Sequence, residues 1–316
     1  MPLTALQSIQ GTYNSIEEHS LAMAAVGWEA DFHQLDLGHG CSRLRAMATE
    51  KVVLMRVDFS NRMHQRAKLV EGCQTFGILA GPQKSGKIGP RVLDSNSLLL
   101  MDPRYGLDAV VESNFSAYTF SVNDDRLRKL AEVYQLPDPV AEVARAGSER
   151  ELSSQQLTAI RASLEEALLQ SETNVAPQMA RSLIESEIPV MLLRCWFGAN
   201  DRPSPPARNR TRVLRKALDY IAAFPQEPLT VEQLCMASAG SMSTLERAFA
   251  EHFGVSPKRY LMLLRFSGVR RALLSIMDTR SITSVANEWG FWHMGKFAAD
   301  YKRVFGQLPS ETPLTT

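Results

Sequence analysis

The sequence predicts an α+β protein with a β-rich N-terminal domain and an all-α C-terminal domain. Three observations lead to this prediction. Short β-prone runs separated by Gly, Pro, Asp and Asn occupy roughly the first 125 residues. Apolar residues at helical spacing dominate after residue 150, and a proline-rich stretch follows near residue 200. A chain of 316 residues has room for about two domains.

Four runs in the N-terminal part have the composition of short strands. Turn residues separate them, as in small antiparallel barrels and sandwiches. The runs are VVLMRVDF (52–59), TFGILAG (75–81), SLLLM (97–101) and FSAYTFSV (115–122). Residues 1–145 are therefore expected to form a β-rich, barrel or cupin-like domain.

Residues 150–198 have helical periodicity. The first expected helix is SSQQLTAIRASLEEALLQ, whose apolar face consists of Leu157, Ile160, Leu164 and Leu168. A second should follow Pro177, with apolar members Met179, Leu183, Met191 and Leu192. Both helices are expected to pack on the β-rich domain, and a face that pairs with a second subunit would make this a dimerisation segment.

The stretch 199–210 is expected to be an extended linker, because its three prolines lack backbone donors and disfavour helix before them. Charge also changes near this point. Residues 207–316 hold 15 Lys and Arg against 9 Asp and Glu, a net charge of +6, whereas residues 1–206 hold 20 against 25, a net charge of −5. A basic domain joined to an acidic one is typical of a nucleic-acid-binding module, and two ordinary solvated surfaces are the alternative.

The pattern of a helix, a short turn and a second helix occurs twice in residues 211–312. In the first unit Thr230 can cap a short helix, ASAGS makes the turn, Ser241 can cap the next helix and Gly254 can end it. In the second unit Gly290 makes the turn and Gly306 ends the helix. The run KRYLMLLRFSGVRRALLSIM predicts one long helix between the units. Two helix-turn-helix units on one connector are therefore expected.

Several strings in this region closely resemble the AraC/XylS family of transcription regulators. They are GVSPKRYL (254–261), RRALL (270–274) and ITSVANEWGFWHMGKFAADYKRVFGQLPSE (282–311). The resemblance covers about 100 residues, from near Arg212 to Glu311. It implies an all-helical DNA-binding domain, a variable N-terminal domain that senses an effector or dimerises, and contact with RNA polymerase. Ala239 stands where family members usually have a turn glycine.

The outward side chains of the two second helices are the candidate DNA contacts. They are Ser241, Ser243, Thr244, Glu246 and Arg247 in the first unit, and His293, Met294, Lys296 and Lys302 in the second. Arg247 can donate two bonds to guanine and Glu246 can accept from a cytosine amine. Lys296 and Lys302 suit phosphates, which position a protein without specifying sequence. The first unit is therefore expected to supply most of the specificity.

Other residues near these helices have structural interpretations. The aromatic residues Phe291, Trp292, Phe297 and Tyr301 are expected in the core, and Arg270 and Arg271 on a solvated face. His293 is expected to cap its helix or to contact phosphate rather than to bind a metal. The arginines near the linker could either reach DNA or simply be solvated: Arg208, Arg210, Arg212 and Arg215.

In the N-terminal part, Arg62 and Arg66 form an RxxxR pair after a predicted strand. This pair resembles the motif of PilZ domains, which bind cyclic di-GMP through forked arginine donors. The second PilZ element has only a partial match in DSNS (94–97), with Ser95 and Asn96 as candidate ligands. Cyclic di-GMP is thus one candidate effector. A small metabolite in the β-rich domain is the broader expectation, and ordinary surface charge is the alternative.

Several other functions lack their sequence signals. The four cysteines form no CxxC, no HxH or HExxH occurs, and AGPQKSGK (80–87) lacks the GxxxxGK[ST] string of a phosphate loop, so a hairpin or mobile loop is expected there. No enzyme, metal or membrane association is expected, and the protein is expected in the cytoplasm with the nucleoid.

The sequence therefore predicts an effector-controlled, dimeric regulator that binds promoter DNA, and the family resemblance implies an activator rather than a repressor. One alternative uses the N-terminal domain only for dimerisation. A more distant one is a metabolite-binding protein or enzyme with a helical interaction module.

Overall fold

The computed structural model describes residues 6–81, 86–89, 91–101, 103, 106–143, 149–173, 177–198, 200–201, 209–225, 227, 229–275 and 280–312. The chain forms two compact units. The first comprises Met1–Asp31, Cys41–Ser60 and Gln65–Pro205, and the second comprises Phe32–Gly40, Asn61–His64 and Pro206–Thr316. In the ranges described, no helix has the length and apolar character needed to cross a membrane.

Two sheets contain the strands of the described chain. The first has the order β1-β3-β4-β11-β6-β9-β12-β13, and the second has the order β2-β5-β10-β7-β8. The strands are β1 (Gln7–Tyr13), β2 (Glu29–Gln34), β3 (Ser42–Ala48), β4 (Val52–Phe59), β5 (Met63–Lys68), β6 (Cys73–Leu79), β7 (Gly86–Ile88), β8 (Arg91–Val92), β9 (Ser97–Met101), β10 (Leu107–Val111), β11 (Phe115–Asn123), β12 (Glu149–Glu151) and β13 (Asn200–Asp201).

The centre of the first sheet is β11, which pairs antiparallel with β4 and with β6. Large apolar residues face one another across these strands, with Phe120 opposite Leu54 on one side and Phe76 on the other. Such cross-strand pairs stabilise a sheet through side-chain packing. All four predicted strands are confirmed, with ends that differ by at most two residues.

The predicted layout of a β-rich region followed by a helical one is confirmed, but the closed barrel is wrong. Each sheet has its own strand order, and no hydrogen-bonded ladder joins the two within the residues described. Without such a ladder the sheets cannot close on each other as a barrel does.

The first unit also contains helices α1 (Ile16–Ala24), α2 (Asp124–Val133), α3 (Pro139–Val143), α4 (Ser154–Thr173), α5 (Pro177–Ser182) and α6 (Ile188–Gly198). The expected apolar face of α4 is buried in one core with Phe76 and Phe120 of the first sheet, so packing on the β-rich unit is confirmed. The expected core position of Met179 is wrong, because its side chain is 64% exposed. A π-helical turn over Leu183–Glu187 separates α5 from α6 and changes the phase of the apolar face.

In the second unit lie α7 (Asn209–Ala223), α8 (Val231–Ser238), α9 (Met242–Phe253), α10 (Pro257–Leu274), α11 (Ile282–Glu288), α12 (Met294–Phe305) and a 3₁₀ turn (Pro309–Glu311). The expected linker is structured at both ends, since Asn200–Asp201 pairs with β12 and α7 begins at Asn209. Its prolines Pro203, Pro205 and Pro206 lie outside the described residues, as do residues 82–85 of AGPQKSGK.

Candidate nucleic-acid interface

The first helix-turn-helix unit consists of α8, a two-residue turn and α9. Thr230 begins α8 with a capping box, in which its hydroxyl accepts from the Gln233 amide and its own amide donates to the Gln233 side chain. Ala239 then takes the left-handed conformation, with φ 51° and ψ 38°. A β-carbon at Gly240 would lie 2.6 Å from Val213 Cγ1, so glycine lets the turn approach α7 closely.

α9 presents the predicted DNA-contacting residues on one side. Leu245, Ala248, Phe249 and Phe253 are buried, while Ser243, Glu246 and Arg247 are exposed and Thr244 is half-buried. Ser241 caps the helix, because its hydroxyl accepts from the Thr244 amide. The predicted cap is confirmed, and the Ser241 hydroxyl is thereby occupied within the protein.

The second helix-turn-helix unit consists of α11, a turn at Gly290 with φ 78°, and α12. His293 is at the N-cap position of α12 but forms no side-chain capping bond. Of its two expected roles, the capping bond is therefore wrong and the phosphate contact stays a prediction. His293, Lys296 and Lys302 are exposed and Met294 is half-buried. The predicted residues of this unit therefore reach solvent only in part.

α10 supplies one aromatic side chain to each helix-turn-helix unit. Near its start, the Tyr260 ring lies 4.4 Å from Phe253 and 5.3 Å from Phe249, measured between ring centroids. Two turns later, Phe266 lies 4.5 Å from Phe291 and 5.9 Å from Phe297. Burial of these rings contributes packing energy on both sides of one helix, and it fixes α9 and α12 to a common support.

Two predictions about this region are wrong. Trp292 is 72% exposed rather than in the core, because it precedes α12 and lies outside the helical repeat. Arg270 is buried rather than solvated, with its guanidinium 4.6 Å from the centroid of the Phe305 ring. A cation over an aromatic face is favourable in this arrangement. Phe297 and Tyr301 are buried as predicted, Phe291 is half-buried, and Arg271 is exposed as predicted.

Two segments of the second compact unit, Phe32–Gly40 and Asn61–His64, contact the C-terminal ends of α9 and α12. Arg62 Nη2 donates to the Phe253 carbonyl at 2.9 Å, and the Gly38 amide donates to the Val304 carbonyl at 3.1 Å. Helix C-termini leave carbonyl groups unsatisfied, so these donors complete both helices. Buried His64 also lies 2.7 Å from the Tyr260 hydroxyl through its Nδ1.

The predicted effector residues all take part in ion pairs or hydrogen bonds within the protein. Arg62 lies beside Asp36, with 3.9 Å between Nη1 and Oδ1, and Arg66 Nε lies 3.7 Å from Asp108 Oδ2. The backbone carbonyl of Ser95 accepts from Arg161 and that of Asn96 accepts from the Leu152 amide. Arg62 lies directly before β5 and Arg66 lies within β5 of the second sheet, whereas Ser95 and Asn96 precede β9 of the first.

A polar network that the sequence analysis missed lies between the first sheet and α4. Arg56 and the Tyr118 hydroxyl donate to Glu165 Oε2 at 3.0 and 2.7 Å, and Arg45 pairs with Oε1. Burial and the bond to Glu165 raise the pKa of Tyr118 to about 12. Burial opposes ionisation of Glu165, but the bonds from Arg45 and Tyr118 hold its pKa below the usual value. In the sequence, only the charged residues at every second position of β3 and β4 indicate this network.

Residues 234–313 match a family model described as a helix-turn-helix domain. The chain is 38% identical over 100 residues to the "Probable thc operon regulatory protein" of Rhodococcus erythropolis, covering 31% of this chain and 30% of that protein. It is 32% identical over 98 residues to the "XylDLEGF operon transcriptional activator" of Pseudomonas putida, and this match covers 31% of this chain and 30% of that protein. The C-terminal region contains an AraC-type helix-turn-helix domain. The matches span 30% of the length of these two relatives.

Solved structures resemble the chain as well. The AraC-like transcriptional activator CuxR has a TM-score of 0.41 and 12% identity, covering 89% of this chain and 100% of its own. A probable AraC family transcriptional regulator from Rhodopseudomonas palustris has a TM-score of 0.30 and 31% identity, covering 32% and 93%. In the described ranges, no group of three or more His, Cys, Asp or Glu residues could hold a metal ion.

The left-handed turn of the AraC-type domain generates a prediction. Ala239→Gly should raise the free energy of unfolding by about 1 kcal/mol, because an L-residue is strained in this conformation and glycine is not. Urea denaturation of the full chain, followed by circular dichroism, measures the change. Ala250→Gly in the exposed interior of α9 is the matched control and should lower stability by about 1 kcal/mol. Equal losses in both variants would contradict the assignment of strain.

Proposed function

We propose that this protein is a sequence-specific DNA-binding transcription regulator. The observation that carries the proposal is the exposed row Ser243, Glu246 and Arg247 on a capped helix whose opposite face is buried in an aromatic core. A rigid helix with outward hydrogen-bonding side chains fits the major groove, where each base pair has a distinct donor and acceptor pattern. The basic charge of residues 207–316 supplies attraction to phosphates.

In the proposed complex, α9 and α12 enter successive major-groove faces on one side of the duplex, about 34 Å apart along its axis. Arg247 and Glu246 read base edges, whereas Lys296 and Lys302 contact phosphates. Because both helices are attached to α10, docking one of them sets the position of the other. Most specificity comes from α9 in this arrangement.

Two substitutions separate these roles. Arg247→Ala should cost about 1–3 kcal/mol on the preferred site and relax base preference at one position. Lys302→Ala should weaken all duplexes about equally and reduce the salt slope of binding by about one. The full chain is first subjected to binding-site selection from random duplexes, and affinities are then measured at several salt concentrations.

The control is Lys129→Ala, which removes an exposed cation from α2 in the first unit. It should change neither selectivity nor the salt slope. Failure of the wild-type chain to prefer any duplex over random DNA would refute the proposed function. Selection of an unchanged site by Arg247→Ala would refute the role of that residue alone.

Effector control is the second part of the proposal. A ligand of the β-rich unit would bias DNA binding if its affinity differs between two arrangements of the protein. A small metabolite is the broad class and cyclic di-GMP is the specific candidate. One of its phosphates would displace Asp108, the carboxylate that lies beside Arg66 in the first compact unit.

Calorimetric titration with cyclic di-GMP tests the specific candidate. The wild-type chain should bind, and Arg66→Ala should not. Arg66→Ala is preferable to Arg62→Ala, because Arg62 also donates to the Phe253 carbonyl and its loss would perturb α9. An unchanged melting temperature of Arg66→Ala confirms that its fold is intact. A wild-type titration without heat would exclude cyclic di-GMP and leave a metabolite effector or a ligand-independent regulator.

We further propose that the protein is a homodimer, contacts RNA polymerase and activates rather than represses transcription. Leu169 on α4 and Met179 on α5 are exposed apolar side chains that a homodimer would cover. Sedimentation equilibrium of the full chain should give the mass of two chains, and Met179→Glu should shift it toward one. A wild-type mass of one chain at micromolar concentration would contradict the dimer.

A further inference from the structure

Trp292 is the exposed tryptophan of the helix-turn-helix domain, with 72% of its surface accessible. Trp28 and Trp196 are each only 1% exposed. Trp289 is half-buried, and its ring covers Gly268 so closely that a β-carbon there would lie 2.3 Å from it. Burial of a large apolar ring is favourable, so an indole held on the surface indicates a binding partner.

The backbone around Trp292 is held in place. On one side the ring of Phe291 stacks on Phe266, and the Phe291 amide donates to the Ala286 carbonyl at 2.9 Å. On the other side the His293 carbonyl accepts from the Phe297 amide at 2.9 Å, in the first turn of α12. Trp292 is therefore presented at a defined position, immediately before the helix that is proposed to enter the major groove.

The neighbouring charges favour DNA as the partner. Exposed His293 follows Trp292, Lys296 lies in the first turn of α12, and that turn contains no acidic residue. Asp300 lies further along and pairs with Arg303. A positive surface around an apolar ring complements a duplex, whose phosphates flank apolar thymine methyl groups in the major groove.

The geometry points to Trp292 as a specificity-determining residue of the second helix-turn-helix unit, in apolar contact with the C5-methyl group of a thymine. This inference rests on the proposed function. α12 has few outward side chains that can form paired hydrogen bonds to a base, and an indole face supplies a different kind of recognition. Its N–H remains available to a nearby phosphate oxygen.

The test combines a protein change with a removal of the same methyl group from DNA. Each thymine of the selected duplex is replaced in turn by uracil, which lacks only the C5-methyl group. At one position, uracil should weaken wild-type binding about fourfold, the effect of burying one methyl group. The same replacement should leave the affinity of Trp292→Ala unchanged, because the two changes remove one contact.

Fluorescence supplies an independent measurement. Because Trp28 and Trp196 are buried and Trp289 is half-buried, most of the quenching of indole by added duplex should come from Trp292 and should be lost in Trp292→Phe. Val133→Ala, which removes an exposed apolar side chain from α2, is the control and should match the wild type in both assays. Circular dichroism melting shows that each variant is folded.

The outcomes separate this inference from the proposed function. A wild-type chain that selects no duplex refutes the function itself. A wild-type chain that selects a duplex, but whose uracil effects are identical in Trp292→Ala and whose fluorescence is unchanged by DNA, overturns the thymine contact and assigns the exposed ring to a protein surface.

Discussion

The two helix-turn-helix units depend on the packing of aromatic rings against α10. Tyr260 packs against Phe253 at the end of α9 and Phe266 packs against Phe297 near the start of α12, so one continuous helix supports both. Two units joined by a flexible chain would each lose orientational entropy on binding DNA. A shared helix removes most of that cost before binding, which is the benefit of preorganisation. Arg270 stacked on Phe305 extends the same core to the end of α12.

Features set by neighbouring residues could be predicted from the sequence. The Ser241 cap, the glycine stops at Gly254 and Gly306 and the limits of β4 and β9 follow from local steric and hydrogen-bonding rules. The position of Trp292 could not be predicted, because helical periodicity assigns a face only to residues inside the helix. Met179 was misplaced because the π-helical turn shifts the periodicity that the sequence pattern assumes.

Contacts between distant residues were not predictable. Arg62 has the spacing of a ligand-binding motif, but its hydrogen-bond acceptor at Phe253 lies 191 residues away in the chain. Glu165 likewise receives bonds from residues 47 to 120 positions away. An arginine pair in a sequence therefore identifies donors, and only the fold identifies their acceptors. The candidate DNA contacts depend less on such distant partners, because they lie within two short helices.

The composition of the second unit has a practical consequence for protein engineering. The chain alternates between the two units along its length, and residues 32–40 and 61–64 belong with the last third of the sequence. A chimera that joins this C-terminal third to the N-terminal part of a relative would replace those segments. The transplanted helices would then lack the donors at Arg62 and Gly38 and the imidazole beside Tyr260. A functional hybrid would have to be joined at the five boundaries between the six segments, rather than at a single junction in the proline-rich stretch.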